Sequence, residues 1–322
     1  MREGLFLKRN IEKWKSYQAE DVTDPDEMAD RFTELVNDLG YSKTFYPHSK
    51  VTHYLNGLAS KIYLSIYQNK KEESSRIIRF WKTELPRVMF KYRRELLYSF
   101  IIFTFFCIMA AFSAAHDETF VRGVLGDQYV DMTEENIAKG DPFGVYKWMG
   151  QLDMFFYIAY NNVQVMFMVF VLGFLLSIGT VWKLFQTGVM LGSFEYMFFA
   201  KGLGWPSILV IWIHGTLEIS AVIIAGAAGM ILGNSILFPG THKRRDSLMR
   251  GGKDGIKIMI GLVPVIIAAA FLEAFITRYT SMPLPVSLCI LLGSLTFIVW
   301  YFVIYPARLE KRSSLKNNAA IS

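Results

Sequence analysis

The sequence predicts an all-α, polytopic membrane protein with about six transmembrane helices and an N-terminal cytoplasmic helical bundle. Three observations carry that reading. Several apolar runs are long enough to cross hydrocarbon, which takes ~20 residues as helix. Of 322 residues, 52% are hydrophobic and only 19% charged, less charge than a soluble chain of this size usually carries. Basic residues cluster at the ends of the apolar runs, so topology explains the net charge of +6 and nucleic acid is not expected as a partner.

Residues 1–96 read as a water-soluble region. The opening is polar and charged, with no short apolar segment ahead of a cleavage site, so no signal peptide is expected. In TDPDEMADRFTELVNDLG, Asp24 reads as an N-cap, Pro25 as the first helical residue and Gly40 as the stop. Val51, Leu55, Leu58, Ile62 and Ile66 recur at helical spacing. SSRIIRFWKTELPRVMFKYRRELL is a further amphipathic run, in which Pro86 predicts a kink or break. Four short helices are expected here.

Membrane spans are expected at 97–115, 162–182, 184–200, 207–233, 256–277 and 286–305, making a membrane domain over 97–306. The third is the shortest and most polar. An outer loop over 116–160 and a basic tail over 307–322 complete the chain. Lys82, Arg87, Lys91, Arg93 and Arg94 precede the first span. Lys243, Arg244, Arg245, Arg250, Lys253 and Lys257 lie between the fourth and fifth, and Arg308, Lys311, Arg312 and Lys316 follow the sixth. The 116–160 segment instead carries eight acidic residues against Arg122, Lys139 and Lys147. Six spans with both termini cytoplasmic satisfy this distribution; five would put the basic loop or the basic tail on the wrong side.

Polar residues inside the spans are the candidates for function, because an ionised group at mid-membrane costs ~2.5–3.5 kcal/mol and normally faces the protein interior. Glu195, Glu218, Glu273 and His214 qualify, all in the outer half or near the midplane, and His214 and Glu218 share a helix face at i and i+4. Four readings are weighed: a hydrogen-bonded clasp, with His214 and Glu218 bonding across to the fifth helix near Glu273 at similar depth, a proton or cation pathway, a metal site, and hydrolysis. No metal ion is expected, because no tight ligand motif accompanies the residues. No HExxH pair and no GxSxG elbow occurs, so no catalytic residue is assigned and no enzyme is expected.

Gly188 and Gly192 form one GxxxG, and Gly229 and Gly233 a second that Ala225 extends. Such rows let helices approach closely, within one chain or between two copies. The outer segment is too long for a simple connection. Thr133 reads as a helix start and Asp141-Pro142 as a turn. This segment is expected either to dock a partner or to rest on the bilayer. Cys107 and Cys289 lie in apolar runs without ligand or disulfide spacing. The aromatic content requires no cofactor, and none is expected; Trp148, Trp205 and Trp300 sit near predicted span ends, as interfacial anchors do.

HGTLEISAVIIAGAAGMILG, supported by YNNVQVMFMVFVLGFLLSIGT, GVMLGSFEY and FLEAFITR, resembles the stage II sporulation protein M family over roughly residues 97–305. The resemblance implies a multi-spanning protein of the bacterial cytoplasmic membrane. In endospore formers the namesake acts in engulfment, holding a peptidoglycan-degrading complex with stage II sporulation proteins D and P, and is not itself regarded as a hydrolase. His214, Gly215, Glu218 and Glu273 match the family's signature polar positions. The long N-terminal region and large outer loop depart from the namesake's form. The expected function is therefore a non-enzymatic envelope scaffold or assembly factor. Its expected partners are membrane lipid, envelope or peptidoglycan-remodelling proteins and a second copy of the chain. The alternative is a proton- or cation-linked transporter or flippase using Glu218 and Glu273, although no inverted repeat is evident.

Overall fold

The protein is described from a computed structural model covering residues 2–19, 24–68, 76–144, 150–278 and 282–319. It is helical, with no strand among the described residues. The chain divides into two compact units, Met1–Ile78 and Arg79–Ser322.

The first unit holds α1 (Glu3–Ala19), α2 (Pro25–Phe45) and α3 (Lys50–Gln68). Its core is Phe6, Trp14, Leu35, Leu39, Leu55 and Leu58, with Val51 and Ile62 packed on it. Trp14 donates its indole N–H to Asp38 at 2.9 Å. Asp24 caps α2 by accepting from the Asp26 amide at 3.1 Å. Gly40 does not stop the helix, which continues to Phe45. The next turn has too much to bury: Tyr41 packs on Phe6, and the Ser42 and Thr52 hydroxyls share a buried bond of 2.6 Å. Those contacts outweigh the ~1 kcal/mol a mid-helix glycine costs.

The fourth amphipathic run belongs to the second unit from Arg79 onward. Helix α4 (Arg76–Arg79) passes through a π turn (Phe80–Glu84) into α5 (Leu85–Lys91) without breaking at Pro86. A proline has no N–H, so it leaves the carbonyls of Trp81 and Lys82 without their partners in the π and α patterns. Tyr301 donates its hydroxyl to the Trp81 carbonyl at 2.7 Å, and Tyr305 donates to that of Lys82 at 2.9 Å.

The remaining elements are α6 (Arg93–His116), α7 (Glu118–Leu125), α8 (Asp127–Ala138), α9 (Gln151–Val171), α10 (Ile178–Ala200), α11 (Gly204–Leu237), α12 (Arg244–Phe271), α13 (Leu284–Val299) and α14 (Tyr305–Ala319). Among the described residues, five helices are long and apolar enough to cross a membrane: Arg93–His116, Gln151–Phe174, Gly204–Leu237, Arg244–Thr277 and Leu284–Leu315. Helix α10, the short third span of the sequence reading, is the one below that apolarity. Its 23 residues nevertheless run alongside α6, with Gly188 against the Phe103 carbonyl and Gly192 against that of Cys107. Numbers rise together in that pairing, so the two helices are parallel. Gly226 against Ser99 and Leu184, and Gly233 against Ser177, make α11 antiparallel to both. With α10 counted as a span, α10 and α11 run in opposite directions, as successive spans must.

Two boundaries differ from the sequence reading. Helix α9 starts at Gln151, after an extended Gly150, not near Asn162, whose side chain lies within the helix and bonds Glu218. The break before α10 falls at 172–177, not near Lys183. There Leu176 and Ser177 take positive φ angles of 54° and 67°, a costly conformation for residues with side chains. Lys147 and Trp148 lie outside the described residues.

Helix α11 sits at the centre, touching α6, α9, α10, α12 and α13. Met166, Leu184, Ala225, Ile258, Met259, Leu262 and Phe302 are among the buried side chains around it. The outside of the bundle is also apolar: Phe105, Ile108 and Phe112 on α6 and Leu292 and Leu295 on α13 are exposed. Helices apolar on both sides suit a lipid surrounding. At the basic end, Lys91 reaches Asp254 at 2.7 Å and Lys257 reaches Glu84 at 3.0 Å. The Lys257 hydrogen bond holds the Glu84 carboxyl below its usual range.

Candidate intramembrane polar site

Helix α11 delivers His214 and Glu218 on one face, and the end of α12 delivers the residues opposite them. There the α-helix opens into a π turn, Leu272–Thr277, of the kind found at functional sites. The turn carries Glu273 and Thr277, again at i and i+4. An H-x-x-x-E face on α11 thus meets an E-x-x-x-T face on its antiparallel neighbour.

The buried His214 ring bonds through Nδ1 to the Thr277 hydroxyl at 2.9 Å. Its Nε2 faces Glu273 Oε1 at 3.9 Å. The Glu218 and Glu273 carboxyls are neighbours, each with an oxygen within 4.8 Å of the other's. From α9, Asn162 donates its side-chain N–H to Glu218. Asn162 in turn accepts from Asn161 at 3.3 Å. One ligand atom each from His214, Glu218 and Glu273 falls within 4.8 Å of the others, close enough to hold one small cation. Two carboxylates so placed at membrane depth cannot both be ionised without a shared proton or a cation.

Glu195 does not join them. It accepts from the Trp212 indole at 2.8 Å and from Ser207 at 3.5 Å. Trp212, the nearer of its two partners, lies two residues before His214, about 200° around α11.

The small-residue rows both pack within the chain. Gly188 and Gly192 meet α6, whereas Gly229 and Gly233 meet α10 and the turn before it. Ala225 is fully buried in the main core. A Cβ on Gly173 would fall 2.8 Å from Gly229 Cα, so two glycines meet where the chain turns from α9 into α10.

The sequence reading missed Asn162 and Thr277. The signal for Thr277 was available: it stands four residues after Glu273, as Glu218 does after His214. Asn162 gave no signal of its own, because a polar residue near the head of an apolar run reads as a helix start.

The outer segment is a helical pair. Asp117 caps α7 through the Thr119 amide at 2.9 Å, and Gly126 turns the chain into α8 at φ 84°. Thr133 is inside α8, not at its start; its hydroxyl bonds the Tyr129 carbonyl at 2.8 Å. Val121, Val130 and Phe143 pack on Met197, Phe198 and Ile211 at the ends of α10 and α11. Arg122 pairs with Asp131 at 2.7 Å and with Asp127 and Glu134 at 3.3 Å, and Lys201 reaches Glu134 at 2.8 Å.

A family model described as stage II sporulation protein M matches residues 99–278, which contain the whole polar site. A second, described as a domain of unknown function (DUF8413), matches residues 4–68, the three helices of the first unit. No curated protein and no solved structure matches the chain.

Proposed function

The chain belongs to the stage II sporulation protein M family, and on that premise we propose that this membrane protein is a non-enzymatic scaffold of the bacterial envelope. It sits in the cytoplasmic membrane with its basic end inside. The helical pair α7–α8 is the observation that carries the reading. Lys201, paired with Glu134, and a shared apolar core hold it to the bundle, while the side chains of Asp127 and Glu135 stay 79% and 71% exposed. A segment that only linked two spans would need neither the core nor the charge network. The first unit supplies a second folded surface with a core of its own. Such surfaces let one protein gather partners for peptidoglycan remodelling outside and others inside.

The test is site-specific photo-crosslinking in living cells. A photoreactive residue at the exposed Gln128 should capture an envelope protein, and reversing the charge of Asp127, Asp131 and Glu135 should abolish the adduct and reproduce the deletion strain's envelope defect. A charge-reversed protein at normal abundance with a normal envelope would sink the scaffold reading.

Orientation is tested separately. In a background lacking Cys107 and Cys289, a cysteine replacing the exposed Lys253 should resist an impermeant thiol reagent in intact cells and react after permeabilisation. Reaction in intact cells would reverse the proposed topology.

A further inference from the structure

We propose that His214, Glu218 and Glu273 bind one divalent metal ion of the zinc class. The inference stands independently of the scaffold reading, and four observations lead to it.

The donor set comes first. An imidazole nitrogen and two carboxylate oxygens suit zinc and its first-row neighbours. They come from α11 and the π turn after α12, and one ligand atom from each lies within 4.8 Å of the others. A tetrahedral site with bonds of 2.0–2.2 Å puts its donors about 3.3–3.6 Å apart. His214 Nε2 and Glu273 Oε1 stand at 3.9 Å, so rotamer adjustments of a few tenths of an ångström on each side close that edge.

Charge comes second. Neutral imidazole, two carboxylates and one divalent cation sum to zero, and a neutral assembly is what a low-dielectric interior tolerates. Among the described residues, no lysine or arginine forms an ion pair with Glu218 or Glu273.

The partners one step out come third. A metal-bound histidine ordinarily has its other ring nitrogen hydrogen-bonded, which fixes the ring's orientation. Here Nδ1 meets the Thr277 hydroxyl at 2.9 Å and turns Nε2 toward Glu273. Asn162 does the same for Glu218 by donating to its carboxylate.

Access comes last. A cavity of 240 Å³ lies between the outer loop and the ends of α11 and α13, lined by Phe143, Pro206, Ile213, Ser287 and Thr277. It reaches the residue that holds the His214 ring. Three protein donors leave the fourth position of a tetrahedral ion to water or to an incoming group.

The experiment uses the full chain in lipid nanodiscs, stripped with a chelator and titrated with CoCl2, then with ZnCl2. The wild type should take up one equivalent of cobalt with the visible bands of a four- or five-coordinate ion, and zinc should bleach them. His214→Ala and Glu273→Gln should each remove that spectrum. Thr277→Val keeps all three ligands and most of the volume; it should weaken binding about tenfold, as lost outer partners do, and it keeps the test decisive if His214→Ala fails to fold. Glu195→Gln, outside the cluster, should bind as wild type does. The proposal is overturned if the wild type binds no stoichiometric cobalt or zinc, as it would if the carboxyl pair holds only a proton. It is equally overturned if folded His214→Ala binds as wild type, or if Thr277→Val is indistinguishable from it.

Discussion

Gly229→Leu should prevent the folded protein from accumulating. A Cβ at this position would collide with the Thr180 hydroxyl and fall 2.8 Å from the Val169 carbonyl oxygen, and Gly173 packs against the Gly229 backbone beside it. Overpacking against movable side chains costs ~1–3 kcal/mol. Here the obstacles include the main chain of α9 as well as the Thr180 side chain of α10, so the cost should exceed that range and take most of a typical stability of 5–15 kcal/mol. The control is Gly293→Leu on α13, where nothing lies within 4 Å of an added Cβ and the residue is exposed. Membrane-fraction yield and thermal melting in micelles read both. Wild-type yield and melting for Gly229→Leu would mean that these helices do not cross where described.

Glu218→Leu should destabilise the metal-free protein far more than Glu218→Gln. The leucine removes the acceptor of the Asn162 amide and the neighbour of the Glu273 carboxyl at once. Each buried polar group left without a partner costs ~1–3 kcal/mol, so a loss of about 2–6 kcal/mol is expected. Glutamine keeps an acceptor for Asn162 and a donor for Glu273, and should cost less than about 1 kcal/mol by that logic. Glu195→Leu is the parallel case on α10, stranding the Trp212 indole instead. Comparable melting temperatures for Glu218→Leu and Glu218→Gln would show that Asn162 and Glu273 do not depend on Glu218, and the clasp between α9, α11 and α12 would fall with them.

Much of the fold was legible in the sequence because its causes are local. Apolar run length sets helices of membrane-crossing size, and lysine and arginine at their ends mark one end of the bundle as basic. Asp24 and Pro25 fixed the start of α2 for the same reason: a cap acts within one turn. Gly40 failed as a stop because long-range burial of Leu39 and Tyr41 outweighed a local preference. Pro86 failed as a break because Tyr301 and Tyr305, more than 200 residues away in the chain, accept the task of satisfying the freed carbonyls.

The polar site divides the same way. Sequence alone determined that His214 and Glu218 share a face, since 3.6 residues per turn require it. It also determined that Glu273 must face the protein interior, since ionisable groups do not face lipid. Opposite helix directions put His214 and Glu273 at similar depth and so pointed to their meeting, but sequence could not say whether Glu195 joins them. Only the tertiary structure separated Glu195 from the cluster, brought Asn162 in from α9, and placed both glycine rows inside one chain. The reason is physical: a helix fixes the relative direction of its own side chains. Which direction meets which neighbour is fixed by how closely the backbones approach, and here by glycines at 173, 188, 192, 229 and 233 that let them touch.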